Sequence, residues 1–104
     1  MRELQIKEYK DYLEVIQDSI FKILPLYEEE NNFLESYVSD LHYEVKHVLN
    51  IIDIMPNGAW YPTTLTGLEY LKEIVAQENR HKAVRKKVLY LTNLIANHLN
   101  AIKE

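Results

Sequence analysis

The sequence predicts an all-α fold, an antiparallel bundle of three or four helices, on three observations. Apolar residues recur at spacings of three and four along most of the chain, the period of a helix with one buried face. Only two glycines and three prolines interrupt 104 residues, so turns are few and the elements between them are long. Both glycines, two of the prolines and the single tryptophan fall within Met55–Glu69, the one stretch where the backbone has to leave the helix.

The first helix is expected over residues 2–24. Leu4, Ile6, Tyr9, Leu13, Ile16, Ile20 and Leu24 repeat at helical spacing, and Pro25 ends the run because it lacks a donor and disfavours helical geometry before it. A second helix is expected over 27–55. Glu28, Glu29 and Glu30 would favour its positive end, and its stripe runs from Phe33 and Leu34 through Val38, Leu41, Val45, Val48 and Ile52 to Met55 before Pro56. Asn57-Gly58 suits a tight turn. Thr66-Gly67-Leu68-Glu69 fits a capping box, with Leu65 and Tyr70 placed as a hydrophobic staple, so the next helix is expected to start at Thr66.

From there to residue 103 no glycine or proline intervenes. Two apolar faces, Leu68–Val75 and Val84–Ile102, flank a polar stretch at 77–82. Two readings stand side by side. Either the helix breaks near 77–82 and gives a four-helix bundle, or one helix of about 37 residues runs roughly 55 Å. A break would crowd Arg80, Lys82 and Arg85 at a positive helix end, which is unfavourable. A long helix would overhang its partners, and a homodimer would cover it.

A chain of this length forms one domain, residues 1–104, with a single modest core. The apolar fraction of 47% and charged fraction of 27% are those of a soluble globular protein. With no cysteine, disulfides, thiolate metal sites and cysteine nucleophiles are excluded. The charged N-terminus from Arg2 to Lys10 is unlike a secretory signal, and no apolar run approaches the ~20 residues needed to span a bilayer. A cytoplasmic protein with no membrane association is expected. Ile, Asn, Lys and Tyr make up about a third of the chain, the signature of an A+T-rich coding sequence such as that of a low-GC bacterium or its phage.

Charge is unevenly spread. Residues 1–63 carry five basic and twelve acidic side chains, a net of −7, and residues 64–104 carry seven and four, a net of +3. Arg80, Lys82, Arg85, Lys86 and Lys87 fall within eight residues. Such a cluster suits an acidic protein partner, or phosphates, or a face paired with the acidic segment Glu28–Glu35. An overall net charge of −4 and a pI near 5.6 argue against nucleic acid. A winged helix, with a hairpin around Asn57-Gly58 running into Trp60-Tyr61, would need the acidic helices of 27–50 to approach phosphate.

Two Glu-x-x-His motifs, Glu44 with His47 and Glu78 with His81, match the ligand spacing of di-iron helical bundles. Glu14 and Glu69 or Glu73 could complete such a set. Both motifs lie off the apolar stripes, however, so surface residues are the simpler reading and no metal or cofactor is expected. Ser19, Ser36 and Ser39 sit in helical pattern without a nucleophile elbow, and two isolated glycines make no phosphate loop. No enzyme activity is expected.

Trp60 and Tyr61 either plug the end of the core or anchor a partner, as such residues do at binding hot spots. The expected function is therefore a small protein-interaction module, a regulator, inhibitor or immunity-type factor. Its expected contact residues are Trp60, Tyr61, Arg80, Lys82, Arg85, Lys86 and Lys87. Nucleic-acid binding by the same basic residues is the competing class.

Overall fold

The structure is a computed structural model that describes residues 3–47 and 60–102. It is all-α, with no strand among the described residues. In chain order the helices are α1 (Glu3–Phe21), α2 (Ile23–Glu28), α3 (Leu34–Lys46), α4 (Trp60–Ile74) and α5 (His81–Ala101). The Asn57-Gly58 turn and the end of the 27–55 run lie outside the described residues.

Pro25 does not end the first helical run. It is the third residue of α2, inside a first turn where the missing donor is not required. The ladder carries on through Lys22, whose N–H donates to the Asp18 carbonyl at 3.1 Å and whose carbonyl accepts the Leu26 N–H at 3.3 Å. The run stops after Glu28 instead. Glu30 takes a left-handed conformation (φ 53°), and the Glu30 and Asn31 amides fold back onto the Tyr27 and Leu26 carbonyls. These are the two bonds of a Schellman cap.

The Glu28–Glu30 trio is therefore a helix end, not a helix start. α3 begins at Leu34, after Asn31 Oδ1 accepts the Phe33 N–H at 2.8 Å.

α4 starts at Trp60, six residues before the expected Thr66 cap. Pro62, like Pro25, is the third residue of its helix and costs no hydrogen bond there. Trp60, Thr64, Gly67, Leu68, Leu71 and Ile74 form one buried stripe. Gly67 is needed inside that stripe. A Cβ there would lie 2.7 and 2.8 Å from the two Leu91 methyl carbons, so its bare backbone lets α4 and α5 close up.

The last helical run breaks, giving the four-helix reading. α4 ends at Ile74, Asn79 turns the chain at φ 61°, and α5 begins at His81 with no side-chain cap. α1 packs on α3 and α5, and α4 packs on the same two, so the four long helices form a square with α1 and α4 on one diagonal. α2 lies across the end of α5 and α3.

One core cluster runs through the bundle, with Leu13, Ile16 and Ile20 of α1 and Val38 and Val45 of α3. Leu68 and Leu71 of α4 and Val84, Val88, Leu91 and Ile95 of α5 complete it. Each such side chain contributes roughly 1.5–3 kcal/mol on burial. Three long-range ties fix the helices against each other. Tyr37 Oη donates to the Ser19 carbonyl at 2.7 Å, Gln17 Nε2 to the Thr92 carbonyl at 3.1 Å, and Tyr61 Oη to the Val45 carbonyl at 2.8 Å. No helix among the described residues is long and apolar enough to cross a membrane.

Candidate functional site

The basic cluster borders two different cavities. Lys82 and Arg85 line a crevice of about 130 Å³ with Leu24, Tyr27, Glu28 and His81. Lys86 and Lys87 line a groove against α4. Arg80 stands at the head of α5 as its N-cap residue. Lys82 and Lys86, four residues apart, adjoin on the helix, so the two groups meet along one edge.

The crevice explains why α5 tolerates a basic start. Arg80, Lys82 and Arg85 oppose the dipole at its positive end, and Glu28–Glu30 oppose it at the negative end of α2. The fold brings these two unfavourable ends together, so that Glu28 shares the crevice with Lys82 and Arg85. Tyr27 ties this end of α2 to the α4–α5 turn by hydrogen bonds. Its hydroxyl donates to the Gln77 carbonyl at 2.8 Å and accepts the Arg80 amide at 3.0 Å, and its ring meets His81 edge-on at 4.8 Å. Lys82 and Arg85, both exposed, thus stand beside an acidic residue of α2.

The second cavity is an open groove of about 750 Å³ between α4 and α5. Pro62, Thr63, Thr66 and Tyr70 line it from α4, and Ala83, Lys86, Lys87 and Tyr90 from α5, with Gly67 at its floor. Gly67 sets the depth of the groove by letting α4 approach Leu91 of α5 closely. Tyr70 and Tyr90 are exposed, at 37% and 50%. Lys87 Nζ lies 5.3 Å from the centroid of each ring, within cation–π range of both. The groove thus offers two aromatic surfaces, an apolar floor and two ammonium groups.

Trp60 is elsewhere. It is 3% exposed, stacked on the His98 ring at 5.2 Å and tilted against Tyr9 at 6.3 Å. The Tyr9 hydroxyl and His98 Nε2 are 3.0 Å apart. This is the plug arrangement, and it removes the indole from the surface on which an anchor would act. Tyr61 is half-buried, with its hydroxyl held by the Val45 and Lys46 carbonyls at the end of α3. Neither residue reaches the α4–α5 groove lining.

Burial sets the proton affinities at this end of the bundle. It pushes the Tyr9 hydroxyl up to about 12, while the neighbouring Trp60 indole N–H pulls the other way without lying in line for a full hydrogen bond. It also raises Tyr12, with the Glu44 carboxylate adding to the rise, and raises Tyr61. Desolvation lowers His98, and it lowers His42 together with nearby Lys72.

The two Glu-x-x-His motifs stay apart. His47 closes α3, its Nδ1 2.8 Å from the Tyr43 carbonyl and its ring against that of Tyr43, whereas Glu78 and His81 flank the α4–α5 turn. The length of α4, about 22 Å, lies between them. Among the described residues no three His, Cys, Asp or Glu side chains come together as a metal-binding group.

Tyr70, Tyr90 and Gly67 were not among the expected contact residues. Tyr90 follows Lys87 by three and Tyr70 follows Gly67 by three, so each neighbours it on its helix. The pairing of the two helices across the groove has no local signature. Comparison with protein-family models, curated proteins and solved structures finds no match to this chain.

Proposed function

We propose that this chain is a small non-enzymatic interaction protein, a cytoplasmic regulator, inhibitor or immunity-type factor, that holds a protein partner in the α4–α5 groove. The observation that carries this reading is the groove itself, where Tyr70 and Tyr90 lie about Lys87 and Gly67 is among the lining residues. Exposed tyrosines supply large contact area at low entropic cost, and aromatic residues are enriched among binding hot spots. Lys86 and Lys87 favour a partner segment with carboxylates beside an apolar or aromatic anchor.

Phosphate recognition is less well supported. A nucleic-acid site is electropositive, and here Lys82 and Arg85 share their crevice with the acidic Glu28.

The test is capture from native lysate on immobilised protein, comparing the natural chain with Tyr70→Ser/Tyr90→Ser. The reading expects a retained protein that the double variant releases. Equal retention by both, or retention of nucleic acid alone with steep salt dependence, would overturn it.

A further inference from the structure

The α4–α5 groove has a complement on the same chain, at the turn between α2 and α3. Phe33 is 76% exposed there, more than any other large apolar side chain among the described residues. It is presented by an ordered turn. The Schellman bonds of Glu30 and Asn31 fix one side, the Asn31 Oδ1 bond to the Phe33 amide fixes the other, and Tyr37 N–H donates to the Phe33 carbonyl at 2.9 Å. Glu29, Glu30 and Glu35, all exposed, lie within four residues of it in sequence. An aromatic knob in an acidic segment therefore stands on one part of the molecule, and an aromatic groove lined by lysine on another.

The two features cannot serve each other through the α2–α5 contact. α2 borders α5 at the crevice, and the groove opens between α5 and α4. We propose that in solution the groove is occupied by a second copy of this chain, with Phe33 of one copy packed on the exposed Tyr70 and Tyr90 rings of the other, beside the Lys87 ammonium. Glu29 and Glu35 then face Lys86 and Lys87 across the contact. Each copy carries both a knob and a groove, so a two-fold axis can make the exchange reciprocal and close the pair. The inference rests on the groove being a docking surface and adds its regulation, because self-association competes with the partner for one site.

Sedimentation of the full chain over a roughly hundredfold concentration range tests this. The apparent mass is expected to rise from one chain towards two, and less so in high salt. Phe33→Ser should weaken association by at least about tenfold without lowering the thermal unfolding midpoint of the dilute protein, since the ring is exposed and serine suits the N-cap of α3 that Phe33 occupies. Lys86→Glu/Lys87→Glu and Glu29→Lys/Glu35→Lys should each be monomeric alone. Their equimolar mixture should associate, because each variant's knob then meets a groove of opposite charge.

A single-chain mass throughout, association that survives Phe33→Ser, or a mixture that stays monomeric would overturn the proposal. A monomer that still captures a partner through Tyr70 and Tyr90 would overturn the self-contact alone. Self-association with capture indifferent to those tyrosines would overturn the partner reading alone.

Discussion

The Tyr27 hydroxyl bridges the Gln77 carbonyl and the Arg80 amide, at 2.8 and 3.0 Å, so a side chain of α2 closes the turn between α4 and α5. That turn is where charge and helix dipole disagree most, and the bridge is the local interaction that holds it. Tyr27→Phe removes both hydrogen bonds and leaves the ring against His81. With each bond worth about 0.5–1.5 kcal/mol, the variant should lose roughly 1–3 kcal/mol in urea unfolding, with an unchanged m-value. An unaltered midpoint would show that the turn does not depend on the bridge.

Gly67→Ala sets helix propensity against packing. Alanine gains about 1 kcal/mol in a helix interior, but its methyl would meet both Leu91 methyl carbons, and Leu91 is fully buried. Overpacking of this kind costs about 1–3 kcal/mol. A net loss of stability is expected, smaller in a Leu91→Val background. A gain in both backgrounds would mean that α4 and α5 separate freely at this level.

The crevice pairing predicts a measurable coupling between Glu28 and Arg85. A double-mutant cycle with Glu28→Gln and Arg85→Gln should give about 0.2–1 kcal/mol, the range for exposed ion pairs. The coupling should shrink as salt rises. A value of zero at low salt would leave the basic start of α5 without its proposed compensation.

Acid and alkaline limits follow from the buried rings. His98 and His42 have folded proton affinities below the ordinary histidine value of 6.5, so the unfolded chain takes up protons first as pH falls. Their contribution is present above about 6.5 and is lost as pH drops through the lower folded values. Tyr9, Tyr12, Tyr37 and Tyr61 are raised above 10.0, so stability should fall as pH rises past about 10, where the unfolded chain ionises first. Unfolding midpoints across pH check both. His98→Gln should flatten the acid side, and Trp60 fluorescence should report the His98 titration directly through their stacked rings.

The helical class was legible because Leu13–Ile16–Ile20 and Val84–Val88–Leu91–Ile95 repeat without ambiguity. The boundaries were less so, and for one recurrent reason. Pro25 and Pro62 read as breakers, yet both occupy the third position of a helix, where proline is tolerated. Thr66-Gly67-Leu68-Glu69 satisfied a capping pattern by spacing alone, while the stripe from Trp60 through Thr64 to Leu68 already carried the longer helix. Gly67 marked a close helix contact, not an end.

In the candidate site, Lys86 and Lys87 were visible as charge. Separating them from Lys82 and Arg85 required the phase of α5 relative to its neighbours. Tyr70 and Phe33 gained meaning only from which faces the tertiary packing left uncovered.

The basic residues of α5 border two separate cavities, and one paired measurement tests which of them a partner uses. Capture of a protein partner should be compared for Lys86→Glu/Lys87→Glu and for Lys82→Glu/Arg85→Glu, with folding of each checked by circular dichroism. The account predicts that the groove pair abolishes retention and the crevice pair preserves it. Retention lost only with the crevice pair, or lost equally with both, would contradict it.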